Sequence, residues 1–193
     1  MIAPANLTQA LAQAIAVFSG GSAFANMATS IYQQIKTGLG VLDALTVNTV
    51  GTTSTVKFYD GTSSVVTITL ASPGIISWAA HAQAIGNAIQ FETTNALPTG
   101  LTAGTSYYVS ALDYTADSFV VADTKAHAIA GTNSVNTSVS QAGVQSAYNV
   151  TTPIGTWSTV AQASLPIAAQ FQNGLIAVAA DGGGAANLTV LFH

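Results

Sequence analysis

Side chains able to do acid, base, nucleophilic or metal chemistry are scarce in this chain of 193 residues: seven Asp and Glu, three His and three Lys, with no Arg and no Cys. The densest group is Asp113, Asp117 and Asp123, where a calcium loop or a glycosidase carboxylate pair would be sought. Their spacing does not match the D-x-[DN]-x-[DN]-G calcium pattern. Asp117 stands before a Phe-containing strand as a turn residue does, so turn roles are expected for this group. Asp60 and Asp181 each precede Gly and read as formers of type I′ or related turns. His81, His127 and His193 have neither Cys neighbours nor H-x-x-x-H spacing. To bind a metal they would have to converge in space with a carboxylate, so structural or solvent-facing roles are expected. No nucleophile elbow, P-loop or dinucleotide fingerprint occurs. Without Arg, bidentate capture of phosphate or carboxylate is unavailable. No enzyme activity, cofactor or metal is expected.

The aromatic residues offer a different chemistry. Trp78, Tyr107, Tyr108, Tyr114, Tyr148 and Trp157 have flat faces of the kind that stack on neutral sugars, although most aromatics of a β-sandwich fill the space between its sheets. On a strand, Tyr107 and Tyr108 must point to opposite faces, so one of them is exposed or at an interface. Tyr107, Tyr108, Tyr114 and Trp78 are the candidate residues for contact with a partner or glycan.

Composition narrows the partners. Only 5 % of the residues are charged, and the formal net charge is −4, against roughly a quarter charged in ordinary soluble domains. Such a surface has no basic footprint for nucleic acid and little to repel a copy of itself. The apolar runs Leu11 to Phe18 and Leu175 to Ala180 fall short of the roughly 20 residues that cross a bilayer, so membrane insertion is not expected. The absence of Cys rules out a disulfide framework.

These residues must be positioned by a largely β chain. Leu7, Leu11, Ile15 and Phe18 recur at helical spacing between Asn6 and Gly20-Gly21, which predicts a short amphipathic helix over Asn6 to Phe18. This stretch imitates a secretory signal, with Ser22-Ala23-Phe24-Ala25 as an A-x-A-like site. It lacks a preceding Lys or Arg, and Gln9 and Gln13 interrupt it, so the helix reading is preferred. Alternation then takes over around Ser30 to Ile35, Leu45 to Val50 and Val56 to Tyr59. Later candidate strands are Val65 to Leu70, Ile75 to Trp78, Ala88 to Glu92, Tyr107 to Ala111, Ser118 to Ala122, Trp157 to Ala163, Gly174 to Ala180 and Leu188 to Phe192. Turn signals separate most of them, and Gly182-Gly183-Gly184 reads as a hairpin loop.

Two resemblances follow from these segments. Ile75 to His81, then Phe91 to Val109 with its core L-P-T-G-L-x-x-G-x-x-Y-Y-V, resembles a small β module that recurs in tail, fibre and capsid-associated proteins of tailed bacteriophages. Separately, Leu45 to Asn48, Gly51 to Thr62 with V-K-F-Y-D-G-T, Trp157 to Ala163, the F-x-N-G-L turn at Phe171 to Leu175, and Ala186 to Val190 look like successive strands of a small phage sandwich domain. Val66 to Ala147 intervene. The expected architecture is therefore mainly β: residues 1–40 form an N-terminal helix and docking segment, 41–65 with 148–193 form a discontinuous sandwich, and 66–147 form an inserted module.

The resemblance implies a non-enzymatic structural protein of a phage or phage-like virion, a head decoration, spike or fibre component assembled in the bacterial cytoplasm and functioning outside the cell. Its expected partners are copies of itself and other capsid or tail proteins. The alternatives are a host-attachment protein that binds surface polysaccharide, or a tail tube or baseplate component. Charge scarcity points the same way. Exposed strand edges normally carry Lys, Pro or inward charges, and with few charges to spare the edges are expected to be covered by neighbouring copies, with the N-terminal helix and the Ser30 to Ile35 strand gripping them.

Overall fold

The computed structural model describes residues 23–27, 32–50, 55–159, 164–180 and 187–193. The chain is mainly β. Among the described residues, fourteen strands and one short helix form two four-stranded sheets and a closed six-stranded barrel, with every strand pairing antiparallel.

The first sheet orders β1 (Ala23–Met27), β14 (Asn187–Phe192), β3 (Gly40–Thr49) and β12 (Ser164–Phe171); the second orders β11 (Thr152–Ser158), β4 (Thr55–Asp60), β13 (Gly174–Ala180) and β2 (Tyr32–Thr37). Alternation explains why they face each other. In β14, Leu188, Val190 and Phe192 are buried while Asn187, Thr189 and Leu191 are half-exposed. In β4, Val56 and Phe58 are buried on either side of exposed Lys57. These residues join Met27, Leu42, Leu45, Val47, Phe171, Leu175 and Ala177 in one cluster drawn from both sheets. Burial of one face of each sheet is the sandwich's main stabilisation.

The barrel runs β10 (Gln145–Asn149), β5 (Ser63–Ile68), β6 (Ile75–Ser77), β9 (Ser118–Ala122), β8 (Tyr107–Val109) and β7 (Ala88–Thr93), which closes back onto β10. Val66, Ile68, Ile76, Trp78, Ile89, Phe91, Tyr107, Val109, Phe119, Val121 and Ala147 fill it. Its strands span 63–149, against the 66–147 expected for the inserted module. They lie in the chain between β4 and β11, which are neighbours in the sandwich with Asp60 opposite Thr152.

A third apolar cluster joins the two bodies. Tyr148 and Val150 from the barrel's last strand and exit pack with Ile176 and Val178 of β13, flanked by Tyr32, Tyr59 and Ala88. Tyr32 and Tyr148 stack with ring centroids 4.2 Å apart and planes 6° from parallel. The Tyr148 hydroxyl donates to Gln90 Oε1 at 3.1 Å and Glu92 Oε1 at 3.4 Å. Burial raises the Glu92 carboxyl above its ordinary range, against the opposing effect of this hydrogen bond. Burial also raises the phenols of Tyr32, Tyr59 and Tyr148, with the neighbouring Glu92 charge adding to the effect on Tyr148.

Several expectations are corrected. Asp60-Gly61 does not form a hairpin turn, because β4 and β5 belong to different bodies and do not pair. The Asp60 carboxylate instead accepts N–H bonds from Gln172 (2.9 Å), Asn173 (2.7 Å) and Gly174 (3.3 Å), holding the F-x-N-G-L turn 112 to 114 residues away. Gly61 is required by close approach, since a Cβ there would sit 2.6 Å from the Asn149 carbonyl oxygen. The strand expected at Trp157 to Ala163 starts earlier, with β11 at Thr152–Ser158, where Pro153 is tolerated on an edge beside a bulge; residues 160–163 lie outside the described residues. Within residues 1–40, β1 and β2 are edge strands of the sandwich. The Asn6 to Phe18 helix, the Gly182 to Gly184 loop and Asp181 lie outside the described residues.

Candidate contact surface where the barrel meets the sandwich

The barrel end at which the chain enters and leaves is built from loops 79–87 and 110–117 and from helix α1 (Lys125–Ala130). Thr124 caps α1 by accepting the His127 N–H, and Gly131 ends it in the left-handed region. The two loops are tied by a buried polar network. Ala80 N–H donates to Asp117 Oδ1 at 2.8 Å, and Trp78 N–H to the Asp117 carbonyl at 2.9 Å. Gln83 N–H donates to His81 Nδ1 at 2.9 Å, which leaves the His81 proton on Nε2, donated to the Thr115 carbonyl at 2.8 Å. The Gln83 amide donates to the His81 carbonyl and accepts from Asn149 and Asn87. The Tyr114 hydroxyl donates to the Gln83 carbonyl.

Backbone strain concentrates here. Five described non-glycine residues have positive φ, and three of them belong to this end: Ala80, Ala82 and Asp113, at 48° to 51°. Each such residue costs about 1 kcal/mol or more and persists only where its surroundings enforce it. The same elements expose apolar side chains: Ile85, Leu112, Tyr114 and Ile129. A Cβ on Gly86 would lie 3.6 Å from Ile129 Cγ1, and one on Gly131 would lie 3.9 Å from Leu112 Cβ, so these groups border one surface. Lys125 and an Asp123–His127 pair at 2.6 Å rim it. The hydrogen bond from His127 holds the Asp123 carboxyl below its usual range.

Of the four aromatic candidates, only part survives inspection. Trp78 is 5 % exposed and packs against Phe119, and Tyr107 is 7 % exposed beside Phe91. The Tyr107 hydroxyl donates to the Gly100 carbonyl and accepts from Thr102 N–H, so both rings are core and unavailable to a ligand. Tyr108 points to the opposite face of β8 and is half-buried. Tyr114 is exposed and belongs to the surface just described. Among the carboxylates, Asp117 braces a loop and Asp123 pairs with His127, while Asp113 is exposed. His81 is buried, and His193 lies 2.9 Å from the Asp43 carboxylate. Among the described residues no three His, Asp or Glu side chains are placed to hold a metal ion. Ile85, Leu112 and Ile129 carry no sequence signal that sets them apart from core residues. Helix α1 was not among the expected elements; its Thr124 cap and Gly131 stop are the local signals that mark it.

No protein-family model matches this chain, and no curated protein is significantly similar to it.

Proposed function

We propose that this chain is a non-enzymatic structural component of a bacteriophage or phage-like particle, of the head decoration, spike or fibre kind. The sandwich edges make the main contacts with the particle and with copies of the chain, and the barrel joins them only through the end that meets the sandwich. The observation that carries this reading is the distribution of strand edges. The barrel is closed and offers none, whereas both sandwich sheets end in edge strands, and free backbone N–H and C=O groups are what β-rich assemblies pair. The strained apolar surface of Ile85, Leu112, Tyr114 and Ile129 supports it, since it lies at the barrel end nearest the sandwich and so beside the same contacts. The glycan-binding alternative loses its two largest buried rings, Trp78 and Tyr107. Of the two that remain, Tyr108 is half-buried and Tyr114 has already committed its hydroxyl proton to Gln83.

The test is co-sedimentation of the purified chain with particles that lack it. Saturable binding is expected. Leu112→Asp or Ile129→Asp should weaken it, whereas Val139→Asp, on a loop of the barrel away from this surface, should leave it unchanged. A chain that stays in the supernatant at every concentration refutes the proposal.

A further inference from the structure

The four sandwich edges are not alike. On β12, Pro166 lacks an N–H, and the ladder to β3 breaks between Pro166 and Ala169, where Ala168 has φ 55°. On β11, Pro153 precedes a bulge between Pro153 and Gly155. On β2, the register skips Ile35 beside Lys36. Proline, bulges and lysine are the devices that stop a strand edge from templating another strand. β1 has none of them. Its sequence Ala23-Phe24-Ala25-Asn26-Met27 is uncharged, its register with β14 is unbroken over all five residues, and Phe24 is 74 % exposed on the outer face of the sheet.

We infer that β1 is the strand through which two copies of this chain pair, edge to edge and antiparallel about a two-fold axis. The mate follows by elimination among the described edges. A head-to-tail contact would set β1 against an edge whose ladder is broken by proline or a bulge, whereas β1 against β1 joins two regular ladders. An isologous contact of this kind closes on itself. With the axis near Ala25, Phe24 of one copy lies opposite Asn26 of the other and diagonal to its own mate, a separation that aromatic side chains bridge on one face of a sheet. No charge is brought against a like charge. The two outer sheets then become one continuous eight-stranded sheet. This inference rests on the proposed reading that the chain assembles with copies of itself.

The experiment is light scattering of the full chain across concentration, with amide hydrogen exchange of residues 23–27, for the natural sequence and for Phe24→Asp. Phe24 is exposed, so the variant keeps the fold while placing two carboxylates near the axis. A mass of twice 19.4 kDa is expected for the natural chain, together with slow exchange in β1. In the variant the dimer dissociation constant should rise by at least about 30-fold, as for removal of a hot-spot contact, and exchange of the outward-facing amides should quicken. Phe24→Tyr should keep the dimer. A natural chain that forms a larger oligomer unaffected by Phe24→Asp overturns the β1 pairing but leaves self-assembly standing. A monomer at all concentrations overturns both, and protected β1 amides in that monomer would assign the edge to the chain's own residues.

Discussion

Truncating Tyr148 to Ala should uncouple the barrel from the sandwich. The side chain is fully buried, stacks on Tyr32 across the junction and hydrogen-bonds Gln90 and Glu92. Removing a buried aromatic ring costs about 3–5 kcal/mol in transfer and cavity terms. The conservative change to Phe keeps the ring and removes only the hydroxyl. With one neutral hydrogen bond and one long bond to a half-buried carboxylate, that change should cost about 1–2 kcal/mol. The two tryptophans make the assay: Trp78 reports on the barrel core, and Trp157, edge-on to Phe58 at 5.4 Å, reports on the sandwich. Trp78→Phe and Trp157→Phe backgrounds each leave one fluorophore for urea titration. In the parent chain both probes should report one midpoint. In Tyr148→Ala the midpoints should separate, with at least one falling by about 1–2 M for a urea slope near the 1–3 kcal/mol/M of small proteins. Midpoints that stay coincident, with a loss under about 0.5 kcal/mol, would refute the claim that this cluster is what couples the two bodies.

Asp60→Ala removes the acceptor of three backbone N–H groups in the turn at Gln172 to Gly174. Because Gln172 and Asn173 are exposed and water can replace the carboxylate, the expected loss is about 2 kcal/mol, measured by chemical denaturation; Asp60→Asn should lose less. Glu92 is raised by burial, so its folded form holds a proton more tightly than its unfolded form. Its stabilising contribution is therefore complete below the ordinary carboxylate range and disappears as pH rises through the raised folded value. Glu92→Gln should flatten that part of the stability–pH curve and modestly raise stability at neutral pH, and an unchanged curve would argue against the assignment. Ala82→Gly relieves a left-handed Ala at φ 48° and should raise the melting temperature slightly, by up to about 1 kcal/mol in stability; a loss would mean that the loop is not strained at this residue.

Alternation made most of the strands legible. Leu188 to Phe192 and Ile75 to Trp78 lie within a residue or two of their observed limits because one face of each is buried, whereas Gly174 to Ala180 and Ser118 to Ala122 read as near-continuous apolar runs because residues of both faces are buried. Two of the strands that escaped have a pattern weakened by edge position, while β10 (Gln145–Asn149), paired on both sides, escaped because its buried residues include Gln145 and Asn149. Ser164–Phe171 carries Pro166 and a bulge, and Ala23–Met27 offers only Met27 as a buried residue among small and polar ones. Tyr107 and Tyr108 show the limit for sites. The period of two places them on opposite faces, but it does not say which face is the barrel interior. Asp60 shows the same limit for turns: D-G is a local signal, and its role here is set by a turn more than a hundred residues later.

The geometry of the insertion explains how the sandwich tolerates it. The barrel's first and last strands are neighbours, with Ser63 opposite Tyr148, and the host strands they leave are neighbours too, with Asp60 opposite Thr152. Two adjacent strand ends are thus joined to two adjacent strand ends at one strand spacing, about 4.8 Å. The long intervening chain therefore imposes almost none of the closure entropy that a flexible loop of that length would carry. What remains is the change of direction between the ladders, absorbed by Gly61-Thr62 on one side and Val150-Thr151 on the other. At that step Tyr148 stacks on Tyr32 across the junction, while Asp60 bonds within the sandwich and Asn149 within the barrel on either side of it. Through the Tyr148 cluster, a contact made on the barrel surface near this step is tied to β13 and β2. The strained loops 79–87 and 110–117 are braced beside that step by the barrel's own Asp117, His81, Gln83 and Asn149.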